Sequence, residues 1–393
     1  MVVRRLGKRA GRRAAGLVAL LVLLFAPPVR AQGALSALQT EVKQIADRAG
    51  PCIVTIFAQS TDVRARPAGG PPVRRPHTRM GSGVAVDESF VLTTASVVLG
   101  AERIVVRTIN GLQVEARLKG VDLLFNVALL HVPELRLPAL TLARRPARVG
   151  DWVMALGTSY GAELTQSEGR VEAIYSEPRS SLLQLGNPVR PGNSGGAALN
   201  TRGELVGLIQ GELGAPDPGA TGSAAYRPTG ASLAMPIEQA KAVYESLRRY
   251  GRLPHGHLGV STRAEVVQSD VDNATVPLGA RVESVQPGGP AARLGLRRGD
   301  LIVAFDSVQV WYPEQLARWV AQTRPGAVVD LVWVHGEVQH RGRVGLGESR
   351  DSLPAWALPP RRPNSDDSAR MADIERRIQA LGRELDRLKA RSR

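Results

Sequence analysis

Cysteine is almost absent from this chain of 393 residues, in which Cys52 is the only one. No internal disulfide can therefore form, even in an oxidising compartment. Because its neighbours Ile53, Val54 and Ile56 are apolar, we expect Cys52 to be a small buried residue rather than a reactive thiol. The sequence also lacks a metal-binding or cofactor-binding motif, and we expect neither group in the protein.

Long hydrophobic runs are also lacking. The run from Ala14 to Ala26 is too short for a membrane-spanning helix. It follows a basic segment and precedes Val29-Arg30-Ala31, a pattern typical of the cleavage site of a secretory signal. The pattern predicts a signal peptide over residues 1–31 and a secreted or periplasmic protein. An uncleaved membrane anchor is the alternative.

Positive charge is less abundant than the formal net charge suggests. Removing residues 1–31 removes seven basic residues and no acidic ones, so the charge falls from +15 to +8. Much of the remaining excess lies in one Pro/Gly-rich stretch, at Arg64, Arg66, Arg74, Arg75 and Arg79. Such a run is more often a solvated loop than a phosphate-binding patch, so we do not expect a nucleic-acid partner.

Short β-branched runs dominate from Cys52 to about Ile237, after a short amphipathic helix predicted over Leu35–Ala49. Strands without intervening helices indicate an all-β barrel or sandwich. The predicted strands are Ile53–Phe57, Gly83–Val86, Val91–Thr94, Arg103–Thr108, Val127–Val132, Trp152–Leu156, Gly169–Tyr175 and Glu204–Ile209. Two stretches rich in Pro and Gly, Thr61–Met80 and Gly211–Thr229, are predicted to be long loops.

A second module follows a helix predicted over Ile237–Arg249. The first domain is assigned to residues 32–250 and the second to residues 254–346, with short helices at Pro290–Leu294 and Pro313–Ala321. A Pro-rich linker is predicted over residues 347–365.

The last segment, residues 366–393, has apolar residues at spacings of three and four. They are Met371, Ile374, Ile378, Leu381, Leu385 and Leu388. This repeat predicts a short C-terminal coiled coil that joins copies of the chain or binds a partner helix. A helix packed on its own domain is the alternative.

The loop Pro191–Gly196 has the composition of a protease nucleophile loop. Its glycines allow the N–H groups of Gly192 and Ser194 to converge and form an oxyanion hole beside the Ser194 hydroxyl. Acyl transfer also needs a histidine that takes the serine proton and an acid that orients the histidine.

Several motifs occur in a consistent order over residues 36–346: Gly81–Val86, Leu92–Val98, Gly150–Gly157, the Ser194 loop, Asn200–Gly207 and Ala234–Ile237. Together they resemble the HtrA (DegP/DegQ-type) family of trypsin-like serine proteases. The resemblance implies an all-β, chymotrypsin-like protease domain of two six-stranded barrels, an α+β PDZ domain, and assembly as a trimer. It also places Ser96 at the position of the catalytic histidine and Asn126 at that of the catalytic aspartate.

The missing base leaves two hypotheses for function. The first is a pseudoprotease that binds peptides or misfolded proteins, as a scaffold or as a regulator of active proteases. The second is an active serine endopeptidase that uses Ser194 with a non-standard base, such as His77 or a lysine. His131 lies five residues beyond Asn126 and is expected to point out of the cleft, and Lys119 is the lysine nearest in sequence to a cleft motif.

The second module retains the motif of a peptide-binding loop. The residues His257, Leu258, Gly259 and Val260 resemble the carboxylate-binding loop of PDZ domains, in which backbone N–H groups hold a peptide C-terminus. We expect a peptide to add as a strand beside Val260 and Thr262. A PDZ fold that only packs against its neighbours is the alternative.

Overall fold

The computed structural model describes residues 29–64, 73–160, 163–178, 180–216, 226–268 and 275–349. The predicted signal peptide up to residue 28, the linker from residue 350 and the predicted coiled coil lie outside these residues.

Helix α1 (Val29–Ala49) begins six residues before the predicted start, because the helix-favouring residues at positions 30–32 continue the helix. Its first half is exposed at Leu35 and Leu38, whereas Val42 and Ile45 are buried. A short 3₁₀ turn, Gly50–Cys52, then leads into the first barrel. The Cys52 thiol is buried and unpaired, as predicted.

The first barrel is closed and has the strand order β1-β2-β3-β6-β5-β4. Its strands are β1 (Ile53–Arg64), β2 (Val73–Asp87), β3 (Phe90–Thr93), β4 (Arg103–Thr108), β5 (Gln113–Asp122) and β6 (Val127–His131). Helix α2 (Ala95–Val98), a single turn, follows β3. Closure leaves no unpaired sheet edge around the ring.

The second barrel repeats this plan with the order β10-β11-β12-β9-β8-β7. Its strands are β7 (Trp152–Ser159), β8 (Glu163–Ser176), β9 (Ser181–Leu185), β10 (Ala197–Leu199), β11 (Leu205–Pro216) and β12 (Tyr226–Pro236). Buried residues of both barrels join in one core that includes Ile56, Leu129, Met154 and Leu205. The predicted two-barrel architecture is confirmed.

Both long loops were predicted with wrong boundaries. Strands β1 and β2 stay paired as far as Arg64 and Val73, and strands β11 and β12 as far as Pro216 and Tyr226. Pro76 is tolerated opposite Thr61 because this end of β2 has β1 as its only neighbour, so the missing N–H breaks no second ladder. Both predicted loops are therefore in large part hairpin arms.

Helix α3 (Ile237–Tyr250) leads from the second barrel to the second domain and ends at Gly251, which adopts a left-handed conformation (φ +70°). Its buried face includes Ala240, Val243 and Leu247. A Cβ on Gly120 of β5 would lie 2.4 Å from the Gly251 carbonyl oxygen, so the end of the helix packs directly on the first barrel.

The second domain has its own core, which includes Phe305, Leu316 and Leu331. Its main sheet has the order β14-β15-β16-β18-β19 and a separate two-stranded sheet pairs β13 with β20. The elements are β13 (Gly256–His257), β14 (Val260–Gln268), β15 (Thr275–Val285), α4 (Pro290–Leu294), β16 (Leu301–Phe305), β17 (Val308–Gln309), α5 (Pro313–Gln322), β18 (Val328–His335), β19 (Val338–Gly345) and β20 (Gly347–Glu348).

The pairing of β20 with β13 moves the start of the predicted linker. Residues 347 and 348 lie in β20 and close the second domain against Gly256 and His257.

No helix among the described residues has the length and apolar composition needed to cross a membrane.

The two halves of α1 predict different mutational effects. We expect Ile45→Ala to lower the free energy of unfolding by about 2–4 kcal/mol, because the Ile45 side chain is only 4% exposed and leaves a cavity. Leu38 is 55% exposed, so Leu38→Ala should change the free energy of unfolding by no more than about 0.5 kcal/mol. Urea unfolding of the two variants tests this difference, and equal effects would contradict the packing described above.

Candidate peptide-binding cleft

In the cleft between the barrels, Ser96 and Asn126 are hydrogen-bonded to each other, and the loop that carries Ser194 bonds to the first barrel. Ser96 lies in α2, Asn126 lies in the turn between β5 and β6, and Ser194 lies in the loop before β10. The backbone N–H of Ser82 in β2 donates to the carbonyl oxygen of Ser194 over 2.8 Å, so the loop of the second barrel is bonded directly to the first.

Asn126 bonds to the segment that carries Ser96. The Asn126 Oδ1 atom accepts the backbone N–H of Ser96 over 2.9 Å, and its Nδ2 donates to Gln210 Oε1 over 2.8 Å. Asn126 adopts a left-handed conformation (φ +51°), which asparagine tolerates better than most residues. Gln210 was not identified from the sequence, because it lies 84 residues away along the chain.

The Ser194 hydroxyl lacks a base. Within the described part of the chain no group accepts its proton, and the hydroxyl of Ser96 bonds instead to Thr94 Oγ1 over 3.2 Å. A serine hydroxyl cannot take a proton at neutral pH, because its conjugate acid is far too strong. Among the described residues, the Ser194 hydroxyl therefore has no hydrogen-bonded group that could activate it.

The six histidines all make other contacts or lie in other parts of the fold. His77 bonds to Ser60 over 3.0 Å, and its position four residues before Gly81 in β2 puts it about 13 Å along the strand from the cleft. His131 stacks on Phe90 with ring centroids 4.9 Å apart. The remaining four lie between or within the second domain's elements, at His255, His257, His335 and His340.

The carbonyl groups of the Ser194 loop all accept hydrogen bonds from within the protein. The carbonyl oxygens of residues 190 to 194 each accept a hydrogen bond, from Asn193 N–H, Tyr160 N–H, Ser82 Oγ–H, Gly196 N–H and Ser82 N–H in that order. By contrast, the N–H groups of Gly192 and Ser194 have no acceptor among the described residues. In a trans peptide the N–H points opposite to the carbonyl, so these two N–H groups remain available for a ligand oxygen.

Gly192 is required at its position in this loop. Its φ of +104° belongs to a region that favours glycine, and a Cβ would lie 2.4 Å from the Thr158 carbonyl oxygen. The loop therefore packs directly on the backbone of β7. Asn193 strengthens this contact, since its buried Oδ1 accepts from Ser159 Oγ over 2.9 Å.

Ser82 is fully buried and connects the barrels through its hydroxyl and its backbone N–H. Besides the bond to Ser194, its hydroxyl donates to the Gly192 carbonyl over 2.7 Å and accepts from the Thr158 N–H over 2.8 Å. Its carbonyl oxygen accepts from Thr93 Oγ1 over 2.7 Å. The sequence signalled the Gly-Ser-Gly motif but not this bridging role.

The segment before the loop alternates exposed and buried residues. Pro188 and Arg190 are both exposed. Val189 between them is buried and packs with Ala155 and Ile209 in a small apolar cluster. Val189 is therefore the residue of this segment that contributes to the apolar packing around the cleft.

The predicted peptide loop of the second domain has a similar arrangement of backbone groups. The Leu258 and Gly259 carbonyls accept from Ala291 N–H and Gln286 N–H, each over 2.9 Å. Over the described ranges, the N–H groups of Leu258 and Gly259 have no acceptor. Gly259 has a φ of +82°, and Val260 begins β14, the edge strand of its sheet.

His257 lies beside this loop but belongs to β13. Its Nε2 is 2.8 Å from Gln286 Oε1, and both residues line a cavity of about 390 Å³ with Arg293. His257 therefore borders the loop without contributing to its free N–H groups.

Two contacts join the domains near helix α5. Arg318 binds Glu177, in the turn between β8 and β9, through two hydrogen bonds of 3.0 and 2.7 Å, and Trp319 Nε1 donates to the same carboxylate over 3.3 Å. A second contact, through His255, joins α5 to strand β5 of the first barrel.

Comparisons with known proteins agree with both domains. Residues 81–208 match the sequence model of the trypsin-like peptidase domain, and residues 281–334 match that of the PDZ domain. The chain is 30% identical over 371 residues to a probable periplasmic serine endoprotease, DegP-like, of Halomonas elongata, covering 85% of this chain and 76% of that protein.

Two further relatives cover the same region. Serine endoprotease DegS of Escherichia coli is 29% identical over 311 residues, covering 77% of this chain and 84% of that protein. The solved structure of the HtrA-type protease AlgW with a decapeptide superposes with a TM-score of 0.59 at 25% identity, covering 78% of this chain and 98% of that chain.

Removal of the Ser82 hydroxyl tests the bridge between the barrels. We expect Ser82→Ala to lower the free energy of unfolding by about 1–3 kcal/mol, because the Gly192 carbonyl and Thr158 N–H lose a buried partner. Amide hydrogen exchange should also quicken at residues 192–196. The exposed Ser176→Ala is the matched control, and exchange that is unchanged in Ser82→Ala would contradict the bridging role.

Proposed function

The chain belongs to the HtrA family of trypsin-like serine proteases that carry a PDZ domain, and we propose that it binds peptides in the cell envelope without hydrolysing them. Several relatives are named as periplasmic serine endoproteases, which supports a periplasmic location for this chain. The N-terminal sequence, with its basic residues and short apolar run, supports the same location.

The observation that carries the proposal is the hydrogen bonding of Ser96 and Asn126. At the position where a base is needed, Ser96 has a hydroxyl that is bonded to Thr94. The side-chain amide of Asn126 donates to Gln210 and accepts the Ser96 N–H. In proteases of this mechanism, loss of the histidine alone lowers kcat by a factor on the order of 10⁶. Hydrolysis at that rate has no use to a cell on the time scale of protein turnover.

The same cleft remains suited to binding. The unpaired N–H groups of Gly192 and Ser194 can donate to a peptide carbonyl or to a C-terminal carboxylate. Neither interaction needs a histidine, because the donors are backbone groups. A peptide held here would be bound but not activated for attack by Ser194.

The PDZ domain supplies a second peptide site in this proposal. The unpaired edge of β14 accepts an added strand, and the N–H groups of Leu258 and Gly259 are available to a terminal carboxylate. Two sites on one chain fit a chaperone, a scaffold or a regulator of active proteases. Assembly as a trimer, or with a partner through the C-terminal segment, is part of the same proposal.

Proteolysis is tested with casein as substrate. We expect the purified mature chain and its Ser194→Ala variant to give equal, background-level rates, because neither has a general base at Ser194. Measurement of released peptides at matched protein concentrations decides this. Hydrolysis that disappears in Ser194→Ala would overturn the proposal and support the alternative, an endopeptidase with a non-standard base.

The double variant Ser96→His with Asn126→Asp is the positive control. Because the backbone of the loop holds its N–H groups free, we expect this variant to gain hydrolysis that a further Ser194→Ala change abolishes. A silent double variant that still folds would mean that substrate cannot reach Ser194, and the cleft would then be no peptide site.

Peptide capture by the PDZ domain is tested with a fluorescein-labelled peptide library of four random C-terminal residues. We expect C-terminal amidation to weaken binding at least about 10-fold, since the peptide loses the charged carboxylate that accepts hydrogen bonds from the Leu258 and Gly259 N–H groups. Gly259→Ala should weaken binding as well, because φ at this position is +82°.

Gly345→Ala is the matched control for Gly259→Ala, since a Cβ at Gly345 meets no atom within 4 Å. Equal affinities for free-acid and amidated peptides in fluorescence polarisation would show that this loop does not hold the carboxylate.

A further inference from the structure

His255 bridges the two domains through both ring nitrogens. It lies in the segment between α3 and β13. Its Nε2 is 2.6 Å from Asp122 Oδ2 in β5 of the first barrel, and its Nδ1 is 2.9 Å from the Ala321 carbonyl oxygen in α5 of the PDZ domain. One imidazole ring thus contacts both sides of the domain interface.

Both partners of the ring are acceptors. A backbone carbonyl has no proton to donate, so Nδ1 must carry a proton to bond to Ala321. The contact between Nε2 and Asp122 needs a second proton, whichever of the two groups holds it. The bridge with both hydrogen bonds therefore contains two protons, and a neutral ring beside an ionised Asp122 has only one.

We propose that the His255 bridge is a proton-controlled clamp, which holds the PDZ domain against the protease domain when it is protonated and releases the PDZ side when one proton is lost. After that loss the remaining N–H stays with Asp122, because a carboxylate is a stronger acceptor than a carbonyl. The Nδ1 lone pair then faces the Ala321 oxygen, and two acceptors repel each other.

Asp122 is held in place for this role. It is only 2% exposed, and its Oδ1 accepts the backbone N–H of Phe125 over 2.8 Å. The same carboxylate therefore holds the ring of His255 and closes the turn that carries Asn126. The clamp joins the PDZ helix α5 to the wall of the Ser194 cleft, whether or not the cleft hydrolyses peptides.

Other titratable and charged residues line the same cavity as His255. Helix α3 contributes Glu245, Arg249 and Tyr250 to an interdomain cavity of about 610 Å³ that His255 also lines, and Arg324 and Glu348 border it from the PDZ domain. Glu348 is paired with Arg252 over 2.6 Å, and the Arg249 guanidinium stacks on Tyr250. Among the described residues, Asp122 is the one carboxylate within hydrogen-bond distance of the ring.

The direction of the pH dependence follows from these contacts. Burial lowers the pKa of His255, but the hydrogen bond and charge of Asp122, together with the Ala321 carbonyl, outweigh it and raise the pKa above the usual 6.5. A raised pKa in the folded protein means that the clamp is complete below about pH 6.5. The clamp is then lost as the pH rises through the raised pKa.

The clamp acts beside a contact that does not depend on a histidine. The Arg318 guanidinium binds the Glu177 carboxylate through two hydrogen bonds and also joins α5 to the protease domain. We therefore expect the PDZ domain to loosen rather than to separate completely when His255 loses its proton.

The test uses the mature full-length chain and two histidine variants. Histidine-labelled NMR spectra report the protonation of His255, which is assigned by its absence in His255→Gln. Small-angle X-ray scattering at matched pH values reports the radius of gyration. For the unchanged chain we expect a histidine that titrates above 6.5 and a radius that increases with the same midpoint.

His255→Gln should abolish the change in radius, because glutamine does not titrate. His335→Gln is the matched control, since His335 also bonds to a buried carboxylate, Asp300, but within the PDZ domain. It should retain the full change. A radius that responds to pH equally in His255→Gln and in the unchanged chain, or a His255 that titrates at or below 6.5, would overturn the proposal.

Discussion

The hydroxyl and backbone of Ser82 join the two barrels at the point where the cleft is built. A buried serine that bonds to Gly192, Thr158, Ser194 and Thr93 ties the loop of one barrel to the strands of the other. None of these bonds involves Ser96 or Asn126. The hydrogen bonds that hold the carbonyl groups of the Ser194 loop therefore do not depend on the side chains at those two positions.

The Ser194 loop and the PDZ loop share one arrangement of backbone hydrogen bonds. In each, the carbonyl groups are satisfied within the domain, a glycine with positive φ turns the chain, and two N–H groups are left over. Such a site is made of backbone, so it does not titrate and survives the loss of neighbouring side chains. The backbone N–H groups of both loops are therefore independent of the side chains at positions 96 and 126.

The sequence predicted the parts of the fold that have local signals. The strand Arg103–Thr108 and the helix Pro290–Leu294 have the predicted bounds, because a β-branched run in one and a Pro start with a Gly stop in the other define them. Strand β5 was not among the predicted strands, although polar and apolar residues alternate along it. The hairpin arms of β2 and β11 were missed because pairing overrode their Pro and Gly content. Ser96, Asn126 and Ser194 were singled out by motif and stay predictions as site residues. Gln210 and the pair of Asp122 with His255 are long-range contacts without a local signal.

The reactivity of the single cysteine, Cys52, reports on local opening of the folded protein. Burial raises the pKa of the Cys52 thiol, so both access and the low thiolate fraction protect it from alkylation while the protein is folded. Cys52 sits where α1 meets the first strand of the barrel. The rate at which a thiol reagent labels the unmodified chain therefore measures how often this junction opens, with no introduced probe and no second site to confuse the signal.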